Sequence, residues 1–333
     1  MSCPEDRALP DATTTELHTF FPVALAMLEM GSVIPCEIWL RHEEGRDPVL
    51  YRGRDLPFTA VHRQRLTDSG VETVYVPFGD AERWAVYMES RLHGRVMDEA
   101  APVEARADLL ITTSRSIMKD VLADPSRPET VQRIGALADT ICDFMRTPSA
   151  VAATVRLMEH DYYTYTHCVH VAVYSVALAR AAGIDAPDVL AGIGRGGLMH
   201  DCGKCKLPAS LINKPGRFTP DEFELMRQHP SFGLQILTET GWPEGLVHDV
   251  VHCHHERIDG SGYPRGLVGR TIPEAARIAA ICDAFDAMTT DRAYQRARRG
   301  QQALRIIHVE ERDHYDQRLA EKFIRMLLTP SGS

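Results

Sequence analysis

The chain has 333 residues, of which 44% are apolar and 25% charged, and a formal net charge of −9 at neutral pH. Those values suit a water-soluble globular protein of two domains or one large one, and the acidic balance excludes a broad nucleic-acid-binding surface while leaving room for a local basic pocket that takes phosphates. No apolar run approaches the ~20 residues that cross a bilayer. The opening MSCPEDRALPDATTTE lacks the basic-then-apolar order of a signal peptide, so a cytoplasmic location is expected.

The first half reads as mixed α/β. Glu37 to Leu40 and Pro48 to Tyr51 are short strands about a polar turn, Glu43-Glu44-Gly45-Arg46-Asp47. Phe58 to Asp68 is helical and stops near Gly70, and Val71 to Val76 alternates as a strand ending at Pro77. Helices follow over Ala81 to Leu92, Val103 to Leu122 and Glu129 to Arg146, with a break at Asp124-Pro125-Ser126-Arg127-Pro128. Only His18, His42, His62 and His93 fall in these first 145 residues, and no catalytic constellation appears. The expected role is a sensing, regulatory or dimerisation module, pairing two copies through this half or through its linker helices.

From Ser149 the pattern is helical, and nine of the 15 histidines lie between His160 and His255. Val151 to Ala182 reads as one long helix stopped by Gly183, and Ala186 to Asp201 as a second. Thr219-Pro220-Asp221-Glu222 is a capping box with proline at the position that tolerates it best. Helices over Glu244 to Arg257, Pro273 to Thr290, Gly300 to Glu310 and Asp316 to Leu328 close the chain. The fold class expected is α+β overall: residues 1–100 a smaller mixed α/β domain, 101–148 a helical linker and 149–333 an all-α bundle. The eight cysteines, Cys3 to Cys282, read as thiols, and Cys202 and Cys205, a C-x-x-C pair without a second one, as packing residues.

Three stretches carry chemistry. In Gly197-Leu198-Met199-His200-Asp201-Cys202-Gly203-Lys204, an adjacent imidazole and carboxylate at a helix end can reach one cation, and Gly203 turns the chain so that Lys204 points back at them. In His254-His255-Glu256-Arg257-Ile258-Asp259-Gly260-Ser261-Gly262-Tyr263-Pro264, two neighbouring histidines are costly to bury neutral and unpaired, and the glycines leave space for a substrate at the backbone. In Ile281-Cys282-Asp283-Ala284-Phe285-Asp286, Asp283 stands in an apolar helix with no basic residue within a turn on its face. Asp286 is placed to orient a ligand. With His167 and His229, the set offers six or seven nitrogen and oxygen donors and no obligatory thiolate, which suits iron or manganese and often two ions. His248 and His252, four apart, are a weaker candidate for a zinc pair.

The order H…HD-x-GK…H…HHE-x-x-DG-x-GYP…D resembles the HD-GYP phosphodiesterases, a branch of the HD superfamily, over about Val151 to Leu328. HDCGK, KPGRFTPDE, HHERIDGSGYP and RIAAICDAFDAMTTDRAY occur in the family's order. The resemblance implies an HD-type helical bundle that hydrolyses cyclic di-GMP to pGpG, GMP or both at a two- or three-metal centre, usually iron or manganese. It implies His167, His200, Asp201, His229, His254, His255 and Asp283 as metal ligands, Asp201 bridging, and Lys204 and Asp201 as the catalytic pair. Lys204, Asp259, Gly260, Gly262, Tyr263 and Arg292 are implied at the substrate. Tyr163 stands where three-metal members carry Glu, which favours two ions. Arg292-Ala293-Tyr294-Gln295 replaces the family's Arg-Pro-Tyr-Arg or Arg-Pro-Tyr-Lys, which keeps open another cyclic dinucleotide, 3′,3′-cyclic GMP-AMP. A metal-containing receptor with little turnover is the further alternative.

Overall fold

The structure is a computed structural model, and it describes residues 20–41, 48–158, 164–214, 216–290 and 299–328. Its contacts divide the chain into two units, residues 1–90 and 91–333.

The first unit is built on alternation. Strands β1 (Phe20–Ala24), β2 (Val33–Ile34), β3 (Ile38–Leu40) and β4 (Val49–Arg52) are followed by β5 (Leu56–Pro57), helix α1 (Ala60–Asp68) and β6 (Thr73–Pro77). Four of the strands form an antiparallel sheet of order β1-β6-β3-β4, and β2 pairs with β5. In β6 the β-branched Val74 and Val76 point into the core while Thr73 faces water, the period-2 pattern of a half-buried strand. Asp80 is buried just before α2 (Ala81–Val96). Its carboxylate accepts from Arg54 Nε at 2.9 Å and from the Glu37 N–H at 3.0 Å, which offsets the cost of burying it. The expected turn at 43–47 lies outside the described residues.

The second unit is helical. It comprises α3 (Val103–Ala123), α4 (Thr130–Phe144), α5 (Pro148–Leu157), α6 (Thr164–Ala181), α7 (Pro187–Met199), α8 (Ala209–Ile212) and α9 (Pro220–Met226). There follow α10 (His229–Glu239), α11 (Leu246–Cys253), α12 (Glu274–Thr289), α13 (Gly300–Arg305) and α14 (Gln317–Leu328). Helix α6 is buried on all sides from Thr166 to Ala179 and packs on α7, α12, α3 and α14. Helices α3 and α4, read from the sequence as a linker, pack on α5, α6 and α7 inside this unit. The single helix expected over Val151 to Ala182 is corrected: α5 stops at Leu157, with the Met158 N–H closing on the Val155 carbonyl, and α6 begins at Thr164. Residues 159–163 between them, with Tyr163, lie outside the described residues. Helix α10, not foreseen, starts with Pro230 in its first turn. No described helix is long and apolar enough to cross a membrane.

Glycines set how closely these helices approach. A Cβ on Gly197 of α7 would lie 2.6 Å from the Ala172 Cα of α6, and one on Gly196 would lie 2.6 Å from Val250 Cβ of α11. A Cβ on Gly203 would lie 1.9 Å from the His229 carbonyl oxygen. The close contacts at Gly197 and Gly203 set the backbones that carry His167, His200 and His229 side by side.

Candidate metal centre

Each donor is placed by a helix end or a helix face. His200 and Asp201 follow the last residue of α7, His229 opens α10, and His254 and His255 follow α11. His167 lies in the first turn of α6, and Asp283 in the third turn of α12. All but His255 are less than 9% exposed. Three groups of donor atoms, each within 4.8 Å of one another, together contain all seven expected ligands: His229 with His254 and His255, His167 with His200 and Asp283, and His200 with Asp201 and Cys168. Cys168 was not singled out in the sequence, where only its place directly after His167 marks it.

Asp201 stands between the groups. Its Oδ2 lies 3.4 Å from His200 Nε2 and 4.0 Å from His167 Nε2, and its Oδ1 lies 3.4 Å from His229 Nε2. On the Asp283 side, His167 Nε2 is 3.1 Å from Oδ1 and His255 Nδ1 is 3.8 Å from Oδ2. Lys204 Nζ lies 2.6 Å from Asp201 Oδ2.

The hydrogen bonds at the far side of each ring fix its tautomer. His200 Nδ1 faces the Gly197 carbonyl at 2.8 Å, His229 Nδ1 the Met226 carbonyl at 2.8 Å, and His254 Nδ1 the Val250 carbonyl at 3.1 Å. A carbonyl only accepts, so each Nδ1 carries the hydrogen and each neutral ring presents an Nε2 lone pair. His229 Nε2 and His254 Nε2 then face each other at 3.3 Å, lone pair to lone pair. His200 Nε2 is buried with no hydrogen-bond partner, against the Asp201 carboxylate. Acceptors that converge without a donor need a cation, and neighbouring donors roughly 2.1 Å from one ion sit roughly 3.0–3.4 Å apart. The donor set therefore fits divalent metal.

Electrostatics agree. Burial, with the neighbouring imidazoles as the next cause, holds His254 and His255 well below the ordinary histidine range. Burial likewise takes His229 to about 4, Asp201 partly opposing. These three are neutral at neutral pH, as a metal ligand must be. At His200 burial opposes the charged form, but the Asp201 carboxylate outweighs it and raises the imidazole well above its usual value. At Asp201 burial is overcome by Lys204 and His200, and at Asp283 by the hydrogen bond from His167, so both carboxyls sit well below the ordinary range. A divalent ion held by His200 would take the place of its proton, and its uptake would release protons.

Behind the donors, Asp286 holds His167 Nδ1 at 2.6 Å and His170 Nδ1 at 2.7 Å, the orienting contact expected of it. His170 was missed, although it stands one helical turn from His167 on the same face. Glu256 was missed too. Its buried carboxylate accepts from the Arg265 N–H at 2.7 Å and the Leu267 N–H at 2.9 Å, clamping the loop after the histidine pair. Tyr263 stacks on His255 with ring centroids 4.7 Å apart.

The loop glycines shape the loop itself. A Cβ on Gly262 would meet the Arg257 nitrogen at 2.3 Å, and Gly260 has a φ of +84°. Both are required by the loop's own path. Asp259 accepts from the Ser261 N–H at 3.0 Å and its hydroxyl at 2.7 Å, which shapes the same turn. His248 and His252 join no group of three donors among the described residues, and Cys202 and Cys205 are free thiols. Arg292 and Gln295 lie outside the described residues.

Comparison with known proteins agrees with this geometry. The chain matches the family described as HD domain over residues 167–319. A cyclic di-GMP phosphodiesterase of Pseudomonas aeruginosa is 34% identical over 331 residues, covering 93% of this chain and 78% of that protein. A 3′3′-cGAMP-specific phosphodiesterase of Vibrio cholerae is 33% identical over 159 residues, covering 47% of this chain and 30% of that protein. The solved structure of an HDG"Y"P protein from Bdellovibrio bacteriovorus shares the fold, with a TM-score of 0.65 at 20% identity, over 93% of this chain and all of the other. The chain belongs to the HD domain family, in its HD-GYP branch.

Proposed function

We propose that the chain hydrolyses cyclic di-GMP to pGpG, GMP or both at a centre of two divalent ions, iron or manganese. The observation that carries the reading is the convergence of acceptors at neutral imidazoles: His229 Nε2 faces His254 Nε2 at 3.3 Å and Asp201 Oδ1 at 3.4 Å. The similarity to the Pseudomonas aeruginosa cyclic di-GMP phosphodiesterase, over most of both chains, supports the substrate.

His229, His254 and His255 with Asp201 would hold one ion, and His167, His200 and Asp283 with Asp201 the other. Nitrogen and oxygen donors suit iron and manganese. When bound, the ions supply Lewis acidity to a phosphodiester and activation of a water molecule for attack on it. The chain's own groups do the rest. Asp201 is kept ionised by Lys204 and His200, so it stays a ligand at acidic pH. Lys204, about a quarter exposed beside Asp201, presents a cation to the non-bridging phosphoryl oxygens. Asp286 fixes the orientation of the His167 ring, and Glu256 fixes the loop that carries Tyr263. Tyr263 and Arg292 contact the nucleotide, and residues 1–100 regulate the centre or pair two copies of the chain.

A second reading, hydrolysis of 3′,3′-cyclic GMP-AMP, is favoured by the similarity to the Vibrio cholerae enzyme. One experiment tests both. Protein purified without oxygen is assayed for metal, loaded with Mn(II) or Fe(II), and incubated with each dinucleotide while products are followed by chromatography. About two ions per chain and faster loss of cyclic di-GMP are expected, both abolished in the double variant His200→Ala, Asp201→Ala. Turnover that survives in that variant after chelation defeats the reading.

A further inference from the structure

Tyr263 is the aromatic that the motif nominates for nucleotide contact, yet its ring is already engaged. His255 stacks on it at 4.7 Å with 29° between planes, and the Arg227 guanidinium lies 5.1 Å from its centroid. The next ring outward is Phe223 of α9. It meets Tyr263 at 6.4 Å and 81°, and it is 46% exposed. Single exposed apolar side chains are ordinary on protein surfaces. This one differs in where it sits: two ring-to-ring steps connect it to His255, a donor of the metal centre. It is also held in place. The capping box of α9 is closed by Thr219 and Glu222, with the Thr219 N–H donating to Glu222 at 2.7 Å, and Lys214 pairs with the same carboxylate. Arg227, one turn along and paired with Glu224 at 2.8 Å, lies over the neighbouring Tyr263 ring.

We propose that Phe223 is the stacking face for a purine base of the substrate. A phosphodiester seated at the donors carries its nucleoside outward, and Phe223 is the exposed aromatic in contact with Tyr263 on that rim. Base–aromatic stacking accepts any purine, so Phe223 contributes affinity for the base and leaves the choice between guanine and adenine to other groups. The inference rests on reading the centre as one that takes a nucleotide phosphodiester.

The test separates base from phosphate. Manganese-loaded protein is titrated by calorimetry with GMP and with ribose 5-phosphate, which lacks the base. GMP is expected to bind about 10-fold more tightly, and Phe223→Ala to lose most of that margin, while Phe223→Trp keeps it. In Phe223→Ala the KM for cyclic di-GMP rises by a similar factor, kcat changes less, and bound metal stays at the wild-type count. A wild-type protein with no preference for GMP, or a Phe223→Ala protein that retains the preference, overturns the proposal. If the preference for GMP holds but no cyclic dinucleotide is hydrolysed, the proposed activity fails and the base subsite stands.

Discussion

Asp80 in the first unit and Asp201 in the second are both almost wholly buried, at 1% and 2% exposure, but they sit in opposite surroundings. Asp80 accepts from the Arg54 guanidinium with both oxygens, at 2.9 and 3.0 Å, and from a backbone N–H. Its charge and its lone pairs are answered by donors from its own unit, the arrangement of a structural carboxylate. Asp201 has Lys204 at one oxygen, and its other neighbours are three imidazole Nε2 atoms at 3.4 to 4.0 Å. Two of them, on His200 and His229, present lone pairs when the ring is neutral. Burial of a carboxylate is therefore not what marks chemistry; burial among acceptors is. The largest expected effect breaks this contrast directly. Asp201→Asn should leave less than one ion per chain and slow hydrolysis by at least about 100-fold, since even groups one contact removed from a metal are worth 10–100-fold. Asp80→Asn should leave metal and hydrolysis unchanged. It should instead weaken the first unit by about 1–3 kcal/mol, read as lost amide protection in β3 and β6. An Asp80→Asn protein that lost its metal would erase the distinction.

A second contrast uses two glycines, and its effect is intermediate. Gly79 in the first unit has open space where a Cβ would be, whereas a Cβ on Gly203 would lie 1.9 Å from the His229 carbonyl oxygen and 2.4 Å from the Gly233 nitrogen. Backbone cannot move aside as a side chain can. Gly203→Ala should cost about 3 kcal/mol and displace His229 from its neighbours, lowering bound metal. Gly79→Ala should stay within about 0.5 kcal/mol of wild type. Thermal unfolding and metal counts on the two variants decide the matter.

The glycines also show where reading the sequence runs out. His200 and Asp201 were legible because they are adjacent, and Asp286 because it follows Asp283 by three residues on one face. The sheet was legible in the β-branched run Val71 to Val76, which the strand Thr73–Pro77 largely matches. The short pair β2 and β5 was not, because two residues are too few to show a period. The close backbone contacts at Gly203 and Gly262 were not legible. Spacing shows that a side chain is absent, but only the fold shows which atoms occupy its place. Glu256 was invisible for the same cause, since its partners are main-chain N–H groups at Arg265 and Leu267, which no residue type announces. The helical linker expected over 101–148 rested on its position between the two halves. A break in a helix does not say whether the two pieces pack on the same core, and α3 and α4 do pack on α6 and α7.

The smallest expected effect sharpens the comparison from the side of the first unit, where a histidine is tied to no other donor cluster. His62 caps α1, its Nδ1 accepting from the Thr59 N–H at 3.0 Å, and Arg52 lies 3.0 Å from its other ring nitrogen. Burial, then the charges of Arg52 and Arg65, hold its imidazole below the ordinary histidine value. The sign follows. An unfolded chain takes up this proton near pH 6.5, before the folded one does, so protons favour the unfolded state as pH falls through that value. The contribution of His62 to the first unit is present above pH 6.5 and declines below it. Amide protection in α1 should therefore fall between pH 7.5 and 5.5, and His62→Gln, which cannot titrate, should flatten that slope. An unchanged slope in His62→Gln would assign the pH dependence to another group.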